Sequence, residues 1–225
     1  MEKTRVAIID LGTNTFNLLV TEVEGNSYRI LVESKYPAQL GKGGIHKATI
    51  TDEAMDRGID ALTNHLITIS EYQVDSIFCF ATSAIRSATN GNSFVKRVKQ
   101  ELGLSIRVIP GDEEAETIFD GVKQVIPLDN DPVLIMDIGG GSVEYIIANR
   151  KGILWKESFN LGVSRLLEQF TPSDPIRVSE INIIEEHFKS KLGSLFSAVK
   201  QFPVKRLIGS SGSFDTLAEM IAKER

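Results

Sequence analysis

Little in this chain can make a disulfide, a thiolate metal site or a membrane span. The single cysteine, Cys79, excludes an intrachain disulfide. Three histidines, His46, His65 and His187, stand far apart without zinc spacing, so no transition-metal site is expected. His65 reads as lying on the polar side of its helix. Positive charge is not in excess: the net charge is −5, which argues against nucleic acid or an anionic membrane as partner. An anionic substrate would have to be held by local loops, a metal ion or a few cations. No apolar run approaches the roughly 18 residues that span a bilayer. MEKTRVAIID passes from charged residues into a strand without a signal-peptide pattern, so a cytoplasmic globular protein is the expectation.

What is present is an apolar share of 42%, ample for packed cores, and a length of 225 residues that suits one large domain or two small ones. Val6–Ile9 and 16–23 read as β-branched, apolar strands around a tight turn, with a third strand at 28–36. Thr51-Asp52-Glu53 opens a helix with a capping residue and two acids. Ser76–Ala81 is a short buried strand, Ser93–Leu102 a helix ended by Gly103, Ser105–Ile109 a strand, and GDEEAETIFDGVKQVI the start of a third helix. Strands alternating with helices imply an α/β fold.

The pattern then restarts. PVLIMDIGGGSVEYIIA (132–148) can be laid on residues 5–21, so that Asp137 falls on Asp10, Gly139 on Gly12 and Ser142 on Thr15. A strand at Ile153–Phe159, a short helix near Leu161–Phe170, a long helix from Val178 to Gln201 and a strand at Val204–Ile208 follow. The turn Gly209-Ser210-Ser211-Gly212-Ser213 then opens another helix, with Ser213 as its N-cap. Repetition at half the chain length predicts two similar domains, 1–126 and 127–225, divided near Pro127–Pro132.

The repeated turns carry the chemistry. Glycines let backbone N–H groups approach a ligand, and clustered N–H groups form an anion nest. Gly12, Thr13, Asn14 and Thr15 form one turn, and Gly139, Gly140, Gly141 and Ser142 the other. Asp10 and Asp137 would repel phosphate directly, but each can hold a hydrated Mg²⁺ that bridges to phosphate oxygens. Two such turns facing across a cleft would clamp a polyphosphate group. Each turn alone also reads as an ordinary hairpin. The residue order fits neither GxxxxGK[ST] nor GxGxxG. Arg86 in ATSAIR can pair with phosphate or be a surface cation. Ser83 has no histidine near it in sequence and reads as structural or as a donor. Asp112, Glu113, Glu114 and Glu116 all suit a helix N-terminus. Lys96, Arg97 and Lys99 read as a solvated helix face, and Trp155 as core or interface.

Taken together, DLGTNTFNLLV, ATSAIRSATNG, IPGDEEAETIFDGV, DIGGGSVEY and GSSGSFDTLAE resemble the exopolyphosphatase / guanosine pentaphosphate phosphohydrolase family of the actin-like ATPase superfamily. The resemblance runs from residue 5 to the end. It implies two actin-like (RNase H-like) domains whose cleft closes on substrate, and activity on polyphosphate or pppGpp with Mg²⁺ or Mn²⁺. It places the catalytic glutamate at Glu114, with Glu113 the nearest rival, and phosphate binding at Arg86. It gives Glu144 a role with metal or water, beside the plain reading of a strand's polar face, and Arg165 a contact to an oxyanion. It brings Gly209, Ser210, Ser211 and Gly212 to the distal part of the substrate. Members are longer than this chain and are often dimers, so a homodimer and a second domain short of its C-terminal part are further expectations. An actin-like kinase and a non-catalytic sensor are the alternatives.

Overall fold

The computed structural model describes Lys3–Gly25 and Ser27–Lys223. The chain divides into two compact units, Met1–Ile109 and Pro110–Arg225.

The first unit runs β1 (Thr4–Leu11), β2 (Phe16–Glu24), β3 (Ser27–Tyr36), α1 (Asp52–Ser70), β4 (Ser76–Ala81), α2 (Ser83–Ser87), α3 (Gly91–Leu102) and β5 (Ile106–Val108). Its sheet has the order β3-β2-β1-β4-β5, with β1–β3 antiparallel and β4 and β5 parallel to the strands they join. Alternate residues Ala7, Ile9 and Leu11 of β1 pair in register with Val20, Leu18 and Phe16 of β2. They pack on Ala54, Ala61 and Leu62 of α1 and on Phe94 and Val98 of α3. Each fully buried large side chain contributes about 1.5–3 kcal/mol. Thr51 caps α1 by accepting from the Ala54 N–H at 3.2 Å. A Cβ on Gly58 would come within 2.7 Å of the Phe94 ring, so glycine allows α1 and α3 to meet.

The second unit runs α4 (Gly111–Val125), β6 (Val133–Ile138), β7 (Val143–Asn149), β8 (Gly152–Phe159), α5 (Val163–Phe170), α6 (Val178–Lys191), α7 (Gly193–Gln201), β9 (Leu207–Ser210) and α8 (Gly212–Lys223). Its sheet order, β8-β7-β6-β9 with β9 parallel to β6, repeats β3-β2-β1-β4. Both faces are covered, which is why every residue of β7 is buried. Ala115, Phe119 and Val122 of α4 pack on Val133, Ile135, Ile146 and Ala148. Leu161, Leu192 and Leu195 pack on the other face, with Val143, Tyr145 and Phe159. Among the described residues no helix is long and apolar enough to cross a membrane.

Several expectations change. The division falls at Ile109/Pro110 rather than at 126/127, because the apolar stripe of α4 belongs to the core of the second sheet. The expected single helix from Val178 to Gln201 is two, broken at Leu192, whose ψ of 20° leaves the helical range before Gly193. Arg86 sits in a five-residue helix, α2. His65 is buried at 2% exposure, not on a polar face. Its Nε2 lies 3.1 Å from the Phe16 carbonyl and its Nδ1 3.3 Å from the Ser34 hydroxyl. Helix α8 begins at Gly212, and Ser213 does not cap it: its hydroxyl donates to the Ile138 carbonyl.

Candidate active site

The site residues of the first unit gather where β1 ends. Asp10 accepts a 3.1 Å hydrogen bond from the Asn17 amide, its in-register partner on β2. The Gly12 N–H then closes the turn on the Thr15 carbonyl at 3.1 Å, and a Cβ at Gly12 would stand 2.8 Å from that oxygen. Thr13 is buried. The Thr13 and Asn14 carbonyls are held from behind, by the N–H groups of Gly41 at 3.1 Å and Gln39 at 2.8 Å. Beside β1, the N–H of Thr82 reaches the Leu11 carbonyl. The next residue, Ser83, is 2% exposed, and its hydroxyl has no hydrogen-bond partner among the described residues. Such a group costs about 1–3 kcal/mol unless something meets it. Arg86 is half-buried and donates to the Ile109 carbonyl at 3.1 Å. Burial, with the Asp10 charge second, pushes the Cys79 thiol up to about 12, so the one cysteine is inert near neutral pH.

In the second unit the same geometry recurs with different chemistry. The Gly139 N–H closes its turn on the Ser142 carbonyl at 3.0 Å. Asp137 faces Glu144 across β6 and β7, and Ser210 of β9 flanks it on the other side. Ser158 pairs with Glu144 in register and donates to its Oε1 at 2.6 Å. Ser158, Glu144, Asp137 and Ser210 therefore make one polar row across four strands. Glu144 is 1% exposed, and a carboxylate at that depth needs hydrogen bonds or a cation. Burial raises the Asp137 carboxyl above its ordinary range, while the neighbouring Ser210 hydroxyl pulls it back. Ser210 of the turn Gly209–Gly212 thus stands beside Asp137, and the Ser211 hydroxyl donates to the Ile138 carbonyl at 3.0 Å. Gly209 must lack a Cβ there, because one would fall 2.1 Å from the Phe214 ring.

Asp137 and Glu144 continue the sheet face that α4 covers, since Val133 and Ile135 precede the first and Ile146 and Ala148 follow the second. Helix α4 starts at that end: Lys156, in register with Ile146, donates to the Asp112 carbonyl and pairs with Glu116. Helical spacing puts Glu113 opposite the stripe of Ala115, Phe119 and Val122, while half-buried Glu114 borders it. Of the first-turn acids, Glu114 is thus the one that helical spacing sets beside the covered sheet face.

Among the described residues no three acidic, histidine or cysteine groups stand close enough to hold a metal ion together. A divalent ion would rest on at most two carboxylates. Mg²⁺ tolerates this, because it keeps several waters and takes oxygens from bound phosphates. The in-register pair Asp137 and Glu144, one buried and one with its ionisation disfavoured by burial, fits that demand.

The glycine turn of the second unit carries a further signal. Gly141 and Ser142 are buried, yet the N–H groups of Gly140, Gly141 and Ser142 donate to no acceptor among the described residues. Buried N–H groups without partners are rare in folded proteins. Three N–H groups in succession, two of them on buried residues, suit an anion.

Duplicated β-sheets, each with an acid–glycine turn after its first strand, define the actin-like ATPase fold. Within it, residues 19–225 match the model of the Ppx/GppA phosphatase family, and the chain belongs to that family. It is 43% identical to an exopolyphosphatase from Cytophaga hutchinsonii whose crystal structure it matches with a TM-score of 0.95, over 98% of this chain and 71% of that one. It is 37% identical, over 73% of its length, to a bifunctional 3-dehydroquinate synthase/phosphatase of Fusobacterium nucleatum, and 27% identical, over 96%, to a guanosine-5'-triphosphate,3'-diphosphate pyrophosphatase of Photobacterium profundum. It spans 26% and 43% of those two proteins.

Sequence reasoning missed Asn17, Ser158 and Gly162; Arg165, expected to contact an oxyanion, donates its Nε to the Gly141 carbonyl at 3.0 Å. Asn17 was within reach, because laying the repeat halves on each other sets it against Glu144.

Proposed function

We propose that this chain carries out hydrolysis of a terminal phosphoanhydride, with inorganic polyphosphate as its main substrate and the 5′-triphosphate of pppGpp as the alternative. The successive N–H groups of Gly140, Gly141 and Ser142, which meet no acceptor among the described residues, carry this reading: they suit phosphoryl oxygens in charge. The identity to the Cytophaga hutchinsonii exopolyphosphatase supports polyphosphate over pppGpp. Gly12–Thr15 is the matching turn of the first unit, and Arg86 and the unpartnered Ser83 hydroxyl are further donors there.

Glu114 orients a water for in-line attack and takes its proton. The water oxygen bonds to the terminal phosphorus, the bridging P–O bond breaks, and the shortened chain leaves on its own phosphate oxygen. Mg²⁺ on Asp137 and Glu144 would supply charge neutralisation at the phosphoryl oxygens. Most of the rate gain comes from positioning and electrostatics, as is usual for phosphoryl transfer.

The test is phosphate release from long-chain polyphosphate and from pppGpp, with Mg²⁺ or with EDTA, by this chain and by Glu114→Gln. Metal-dependent turnover that falls roughly 10²–10⁴-fold in a folded Glu114→Gln supports the reading. Tight binding of either substrate without turnover would replace it with the sensor alternative.

A further inference from the structure

The N-terminus of α5 is turned on the glycine loop. The Val163 N–H donates to the Gly139 carbonyl at 3.0 Å, and the Ser164 and Arg165 N–H groups donate to the Gly140 carbonyl at 2.9 and 3.2 Å. The Arg165 Nε completes the set on the Gly141 carbonyl at 3.0 Å. Before them, Gly162 presses on the loop: a Cβ there would lie 2.4 Å from the Gly140 carbonyl carbon and 2.4 Å from the Gly141 nitrogen. Gly162 has φ −65° and ψ 155°, which any residue adopts, so space rather than conformation requires glycine.

A trans peptide sets its C=O and the following N–H in opposite directions. Tying the carbonyls of residues 139, 140 and 141 to α5 therefore aims the N–H groups of Gly140, Gly141 and Ser142 away from α5, together. We infer that Gly162 and Arg165 are positioning residues: they hold the phosphate nest in its binding orientation before any ligand arrives. The inference rests on the phosphohydrolase reading of that nest. It assigns Arg165 to the backbone of the loop rather than to substrate, and it makes the helix N-terminus a brace rather than an anion site.

Amide hydrogen exchange of the full chain, followed by mass spectrometry without ligand, tests the brace apart from activity. In Arg165→Ala and Gly162→Ala, exchange at residues 163–165 should rise about tenfold, as expected for loss of a hydrogen bond to the loop. Protection of Val143–Asn149 should stay at the wild-type level, which reports a retained fold. In parallel, kcat/KM for tripolyphosphate should fall about tenfold or more, and Arg165→Lys, which keeps a donor for Gly141, should recover protection and kcat/KM together. If Arg165→Lys regains protection but not activity, the guanidinium acts on substrate and the inference fails. It fails also if exchange rises while kcat/KM holds, or if exchange does not change. A wild-type chain that releases no phosphate overturns the proposed function, while the exchange result still decides whether the brace exists. Should Gly162→Ala not fold, the two Arg165 variants carry the test.

Discussion

The two glycine turns of this protein share a frame and differ in what surrounds it. In both, the first glycine N–H closes on the carbonyl of the hydroxyl residue three positions on, at 3.1 Å in one and 3.0 Å in the other. In both, the carbonyls are tied from behind. The first turn is tied by loop residues, Gln39 and Gly41, at two carbonyls; the second is tied by a helix N-terminus and an arginine at three. The in-register partner of the acid is Asn17 in the first unit and Glu144 in the second, and the parallel-strand neighbour is Phe80 in the first and Ser210 in the second. A duplicated frame has thus become one half whose acid is bonded by an amide and one half in which two acids stand side by side.

One substitution breaks that asymmetry directly. Glu144→Asn gives the second unit the first unit's chemistry and should lower kcat/KM at fixed Mg²⁺ by about 10–100-fold, with part of the loss recovered at higher Mg²⁺. Asn17→Ala should cost about 1–2 kcal/mol in denaturant unfolding, through the lost hydrogen bond to Asp10, and should leave the Mg²⁺ requirement where it was. Equal shifts of Mg²⁺ dependence in both variants would remove the distinction between the halves.

A second comparison concerns stability. Burial holds the Asp137 carboxyl above its ordinary range, so the folded state binds this proton more tightly than the unfolded chain does. The stability it lends is present in acid and is lost as pH rises through the folded-state value. At neutral pH, Asp137→Asn should therefore melt at or above the wild-type temperature while phosphate release is lost. Added Mg²⁺ should raise the melting temperature of wild type but not of the variant. A clear drop in the variant's melting temperature without metal would show that Asp137 serves the fold rather than the site.

The smallest effect on catalysis is expected in the first unit. Desolvation lowers the pKa of His65 below 6.5, outweighing the bond to the Phe16 carbonyl. Its stabilising contribution is present above the unfolded value and is lost as pH falls from there through the folded one. His65→Leu should cost about 1–3 kcal/mol at pH 7, by stranding the Phe16 carbonyl, and should flatten the fall of stability with acidification. An unchanged slope would place that fall elsewhere.

Much of this was legible in the chain itself. The strand–acid–glycine–hydroxyl order is local, so its duplication could be read directly, and the sheet order repeats as the duplication predicts. Thr51 as a cap and Gly103 as a stop followed from residue type alone, because capping is settled within one turn. The break at Leu192 was missed because the surrounding apolar spacing runs on through it. His65 was misplaced because its two partners, Ser34 and the Phe16 carbonyl, lie 31 and 49 residues away. The division between units was misread because Pro and Asp mark a loop but do not say which core a helix joins.

The sequence by itself determined the periodicity of the elements, the two glycine turns and the acids that precede them, since each depends on neighbours a few positions apart. Only the tertiary structure decided that Ser158, Glu144, Asp137 and Ser210 form one row, and that Arg165 and Gly162 stand behind the loop. Those relations are set by strand register and by the seating of α5, and both are fixed by packing between residues that the chain keeps far apart.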